Sequence, residues 1–263
     1  MNYTPHFVDV VEYCKDNKLF IGYGNPSAKV LVIGKEKSND DLESIDTIAG
    51  IKQIVENSNK GNQINIDGWI DVISSDVLAD WDNMPVNKLS SLYSSGSQFN
   101  KGNRETKNGW NNGTSGTYLK YQKLKEFLLK EKRSEKINFQ KHFFLTEFSD
   151  ISTKMSYTKK EIKKLRATSI AKRKELLKMA FFKSFPITIV AAGSYPKDYE
   201  IDLEDIFDVK YVGETQFIGE HWYNVHISTD SKRILIHTRQ LSGAITDDLL
   251  LGISQQCSSF LGF

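Results

Sequence analysis

Four short apolar runs punctuate the chain, and each ends in small or polar residues. They are Val30-Leu31-Val32-Ile33 before Gly34, His142 to Thr146 before Glu147, Pro186 to Ala192 before Gly193 and Ser194, and Arg233 to His237 before Thr238 and Arg239. A brief apolar run rich in β-branched and aromatic residues suits a strand covered on both faces, as in a parallel sheet. Segments of helical period separate the runs, which is the pattern of crossover connections. The expected fold is therefore one α/β domain spanning residues 1–263, three-layer α/β/α, with a central four-stranded, mainly parallel sheet. Ligands of such sheets bind outside the carboxyl ends of the strands. That rule points to Gly34–Asp40, Thr146–Asp150, Gly193-Ser194 and His237–Ser242.

Between the runs, apolar spacing predicts helices over 4–16, with Thr4 as cap and Pro5 at the first position, and over 40–58. Further helices are expected over 117–130, over 159–183 and from Thr246 onward, with Asp247 and Asp248 in the first turn of the last. Gly22, Gly24, Asn25 and Pro26 read as a turn, and 207–212 and 222–228 as additional strands. The stretch from about 59 to 117, rich in Asn, Gly and Ser, reads as an irregular insertion. Trp69 and Trp81 within it suit a core. Phe99 and Trp110 are candidates to stack on a ring.

With 39% apolar and 26% charged residues the chain has material for a real core. Its net charge of +2 gives no global argument for a polyanionic partner. Charge is instead local: Lys159, Lys160, Lys163, Lys164, Arg166, Lys172, Arg173, Lys174, Lys178 and Lys183 crowd one helix. That is either a solvated face or a surface for phosphates. Cys14 and Cys257 are too far apart in sequence for a zinc motif or a disulfide framework. His6, His142, His221 and His226 form no recognisable ligand spacing, so no metal and no cofactor are expected. Absence of a long apolar run or a leader-like N-terminus reads as a cytoplasmic chain with no membrane partner.

The polar ends of the four runs, taken in order, resemble the uracil-DNA glycosylase superfamily. Gly34-Lys35-Glu36-Lys37 stands where that family carries a motif such as Gly-Gln-Asp-Pro, after its first core strand. His237-Thr238-Arg239 looks like the counterpart of a late His-Pro-Ser motif. The passage from Phe181-Phe182-Lys183-Ser184-Phe185-Pro186 into Val190-Ala191-Ala192-Gly193 is also similar. The resemblance covers roughly residues 28–243. It departs at Lys37 and Thr238, where the family has proline, and at Thr146-Glu147, where the family's uracil-reading Asn has no match.

The resemblance implies hydrolysis of the N-glycosidic bond of a modified or damaged base, with ordinary uracil a poor substrate and DNA, another nucleic acid or a nucleotide as partner. The chemistry needs a carboxylate facing a cationic sugar, which Glu36 supplies. It also needs a donor toward the departing anionic base, which His237 supplies from a neutral ring. Gly34, Lys35, Lys37, Thr146, Glu147, Gly193, Ser194, Thr238, Arg239 and Ser242 are the expected substrate-binding residues, with Arg239 on a phosphate. Bland alternatives stand beside these roles: Glu36 as a helix cap or solvent-facing residue, His237 as a hydrogen-bonded structural residue, and Arg239 in an ion pair with Glu36 or Glu147. A catalytically inactive nucleic-acid- or nucleotide-binding module, or an unrelated small-molecule α/β enzyme, would also fit the scaffold.

Overall fold

The computed structural model describes residues 3–36, 48–75, 116–134, 137–151, 160–242 and 244–261. Lys37, Gly243 and the aromatic residues Trp81, Tyr93, Phe99 and Trp110 lie outside the described residues.

The four apolar runs form neighbouring strands of one sheet. They are β2 (Val30–Gly34), β3 (Phe143–Glu147), β4 (Ile187–Ala191) and β8 (Ile234–Thr238). Pairing is parallel throughout, in the order β3-β2-β4-β8. All four carboxyl ends therefore lie along one edge. The last three runs enter the ladder one residue later than their starts suggest, and β3 includes Glu147. Antiparallel strands widen the sheet to eight. β1 (Tyr23–Gly24) joins β3, and β7 (His221–Ser228) joins β8. β5 (Val209–Tyr211) and β6 (Gln216–Ile218) both pair with β7. The expected turn at Gly22–Pro26 thus contains a short edge strand. A Cβ at Gly22 or Gly24, both at positive φ, would collide with the β3 backbone.

Strand alternation sorts the side chains onto two faces. Leu31, Ile33, Phe144, Val190 and Leu235 turn toward α1 (Pro5–Asn17), α2 (Ile48–Ser74) and α4 (Lys160–Leu177). Val30, Val32, Phe143, Leu145, Ile189 and Ile236 turn toward α3 (Gly116–Leu128) and α8 (Asp247–Leu261). Helices thus cover both faces of the sheet. Thr4 caps α1 by accepting from the Phe7 N–H, with Pro5 at the first position, and Thr246 accepts from the Leu249 N–H at the start of α8. Burial pushes both cysteine thiols up to about 12, so each behaves as an apolar core group.

Two expectations change. The irregular insertion does not begin at 59, because α2 continues to Ser74. Its buried stripe, Ile54, Ser58, Asn62, Asn65, Ile66 and Trp69, has helical spacing, but half of it is polar. Asn62 and Asn65 serve the loop after α1. Asn65 Oδ1 accepts from the Ile21 and Gly22 N–H groups at 3.0 and 3.3 Å, and the Asn65 amide and Trp69 Nε1 donate to the Gly22 carbonyl. The expected single helix over 159–183 is likewise two. Met179 is extended (ψ 150°) and starts a separate short α5 (Ala180–Lys183). That break lets Phe181, Phe182 and Phe185 all enter one aromatic cluster with Phe7 and Phe144.

Candidate functional site

Three of the four strand ends converge on one connected group of polar side chains. The chain leaving β3 folds back onto the end of β2: the Phe148 N–H donates to the Gly34 carbonyl and the Ser149 N–H to the Lys35 carbonyl. This fixes the backbone that carries Glu36. One oxygen of Glu36 meets Arg166 Nη2 of α4 at 2.6 Å, with both side chains only about a tenth exposed. The other oxygen accepts from the Tyr195 hydroxyl, presented by α6 (Tyr195–Asp198) directly after Gly193-Ser194. Burial disfavours the Arg166 charge, but Glu36, Tyr195 and Tyr199 outweigh it, and the guanidinium pKa rises. Tyr195 also moves upward, through burial and then the Glu36 carboxylate. The Lys35 ammonium sits 5.0 Å from the Tyr195 ring centre and packs against Gly193, and burial lowers its pKa.

Gly193, at φ 56°, links this group to the end of β8. His237 Nε2 lies 2.9 Å from the Gly193 carbonyl. A carbonyl only accepts, so the ring proton sits on Nε2. Burial depresses the His237 pKa, which favours the neutral ring and leaves Nδ1 as an acceptor. Trp222 of β7 meets the ring edge-on, with centroids 5.0 Å apart. Glu36 and His237 are thereby joined through Tyr195, Lys35 and Gly193 at one edge. In this arrangement the Nε2 proton is already donated to the protein.

The other expected residues divide. A Cβ at Gly34 would displace the Glu147 carboxylate. Thr146 is locked inside: its hydroxyl donates to the Ile21 carbonyl at 2.9 Å and accepts from Arg173 Nη2 at 2.7 Å. Thr238 is fully buried and donates to the Trp222 carbonyl at 2.7 Å. Ser194 is exposed and donates to Asp198 at 2.6 Å. Arg239 is exposed and pairs with neither Glu36 nor Glu147 among the described residues. Its Nη1 lies 2.9 Å from His221 Nδ1. The Ser242 hydroxyl is buried without a hydrogen-bond partner among the described residues. Beside the group, a cleft of about 240 Å³ opens between α4 and the end of α6, lined by Lys163, Ala167, Lys174, Asp198 and Tyr199. Tyr199 also hydrogen-bonds Arg166, so cleft and ion pair adjoin.

Arg166, Tyr195 and Trp222 were not legible as site residues. Arg166 was submerged in a run of lysines. The available signal was register: Ile162, Arg166, Ser169, Ile170 and Arg173 recur at helical spacing on the buried stripe of α4. Tyr195 carried the weaker signal of position, immediately after a strand-ending Gly-Ser. Comparison of the chain with protein-family models, curated proteins and solved structures finds no match.

Proposed function

We propose that this chain is a divergent glycosylase-like protein that takes a base–sugar unit of nucleic acid, or a nucleotide, at the carboxyl edge of its sheet. The observation that carries this reading is the convergence of Glu36, Arg166, Tyr195, Lys35 and His237 on one edge. The strand ends supply a carboxylate, a cation and a neutral imidazole around the Gly193 turn, and α4 adds a second cation. Arg166 and Tyr195 orient the Glu36 carboxylate, whose negative charge is the field a cationic sugar requires. Lys35 and the exposed lysines of α4 favour a phosphate-bearing ligand. Thr146 is committed to Ile21 and Arg173, so it is not available to read a base, and ordinary uracil is expected to be released poorly.

One observation favours a binding-only version of the same reading. The Glu36 charge is already matched by Arg166, and the His237 proton is already given to Gly193. Both groups must be released or re-aimed before they act on a substrate. The deciding experiment is a base-release screen on single and double strands carrying uracil, hypoxanthine or alkylated bases. Catalysis predicts release that is lost in Glu36→Gln and His237→Ala while binding persists. The binding module predicts no release by the wild type, with affinity that falls in His237→Ala or Arg239→Ala. An absence of both release and affinity would remove the proposal, and brisk uracil release would show that the base-reading residue is misassigned.

A further inference from the structure

The β6–β7 hairpin carries an aromatic surface that folding does not use. Phe217 is 72% exposed, the most exposed large apolar side chain among the described residues, and it occupies a three-residue edge strand. Its ladder partner is Trp222, half-buried, whose ring meets His237. Alternation places Phe217 and Trp222 on the face that carries His237. The neighbouring Ile218 goes to the opposite face, packing onto Gly252 of α8 so closely that a Cβ at that glycine would overlap it. The hairpin is thus anchored from behind while it presents Phe217 in front. A row of rings, Phe217, Trp222 and His237, leads from open solvent to the candidate centre.

We infer that Phe217 and Trp222 form a stacking platform for an unpaired base of single-stranded nucleic acid, seated beside His237. This rests on the reading above and adds a strand preference to it. The occupant follows from three features. A flat exposed ring accepts any base face, and stacking does not require a particular sequence. The platform is continuous with the polar group at the Gly193 turn through the Trp222–His237 contact. Charge lies at the inner end of the row: the Lys35 ammonium sits at Gly193, whose carbonyl meets His237. Glu214 and Glu220 are exposed at the two ends of β6 and repel phosphates there. The backbone of a bound strand therefore runs inward, toward Lys35. A base held in a duplex cannot reach Phe217 without unpairing, which costs a few kcal/mol.

The test is anisotropy binding of short labelled oligonucleotides, single-stranded, duplex, and single-stranded with one abasic position. Wild-type protein is expected to prefer the single strand. Phe217→Ala should weaken that binding about fivefold or more, and Phe217→Trp should retain it. A suitably placed abasic position should abolish the difference between wild type and Phe217→Ala. Glu214→Gln with Glu220→Gln should strengthen binding at low salt. Single-strand affinity that is unchanged in Phe217→Ala, or that equals duplex affinity, overturns the platform and leaves the wider reading standing. No nucleic-acid affinity in the wild type overturns both. Sedimentation showing self-association that disappears in Phe217→Ala would assign the surface to a second copy of the chain and overturn the inference.

Discussion

Helix α4 sends two arginines beneath the same sheet edge, seven residues apart, and they meet opposite environments. Arg173 is fully buried under the end of β3. Its Nε donates to the Glu147 carbonyl at 2.6 Å and its Nη2 to the Thr146 hydroxyl at 2.7 Å, while Nη1 reaches the Phe20 carbonyl. Its direct acceptors are neutral oxygens. Desolvation outweighs the more distant acidic groups Asp150, Cys14 and Glu147, and the pKa falls. Arg166, two turns earlier, meets the Glu36 carboxylate directly, and its pKa rises. A guanidinium stays charged in both settings. The difference is therefore one of role: the first cation seals backbone at the closed end of the edge, and the second holds a charge at the end that opens onto a cleft. The edge is sealed under β3 and carries the connected polar group at the ends of β2, β4 and β8.

The comparison breaks most sharply at Arg173. Arg173→Met should destabilise the fold by about 3–5 kcal/mol, since it strands three buried acceptors at roughly 1–3 kcal/mol each, with partial relaxation. Urea unfolding reads this, and a loss under about 1 kcal/mol would mean that the acceptors find other donors. Breaking the Glu36–Arg166 pair should cost less, about 1–3 kcal/mol for Glu36→Gln, because both partners keep some solvent. A double-mutant cycle with Arg166→Met should show coupling; additive losses would mean that the pair is incidental to stability.

Much of this division was open to a reader of the sequence and part of it was closed. Apolar runs with polar ends are a local signal, and they located β2, β3, β4 and β8 and the strand-end residues Glu36 and His237. The partner of Glu36 was invisible because it comes from a helix whose seven cations look alike in one dimension. Only burial separates Arg166 and Arg173 from their exposed neighbours Lys163 and Lys164. The second half of α2 was hidden for a related reason: Asn62 and Asn65 are buried for hydrogen bonding, so the apolar period that announces a helix is interrupted. The inward bonds of Thr146 were also hidden, because its strand-end position does not reveal which direction its hydroxyl faces.

Two smaller effects sharpen the contrast. His226 and His237 both have pKa values lowered by burial from 6.5. The unfolded chain then takes protons first as pH falls below about 6.5, so stability should decline in that range and level off below the folded-state values. Thermal melts against pH should show this slope, and His237→Asn should reduce it; an unchanged slope would mean that His237 contributes nothing to it. The smallest change in stability, within about 0.5 kcal/mol, is expected for Lys163→Ala with Lys164→Ala, which are exposed. Their effect belongs to binding: nucleic-acid affinity should become less salt-dependent, and an unaltered salt slope would take this face of α4 out of the contact.

The segment Phe20–Gly22 has a consequence for the order of assembly. Its backbone groups find their partners on α2, on β3 and on α4: Asn65 and Trp69 at Ile21 and Gly22, Thr146 at the Ile21 carbonyl, and Arg173 at the Phe20 carbonyl. None of these partners is local; each bond closes a loop of at least 43 residues, and that to Arg173 closes one of 153. Such bonds form only after their loop entropy has been spent. Although it lies near the beginning of the chain, this segment should be among the last to gain protection during refolding. Once formed, the amides of Ile21 and Gly22 should exchange with solvent only through opening that releases α2. Pulse-labelled hydrogen exchange would place them in time, and early protection at those two amides would contradict this order.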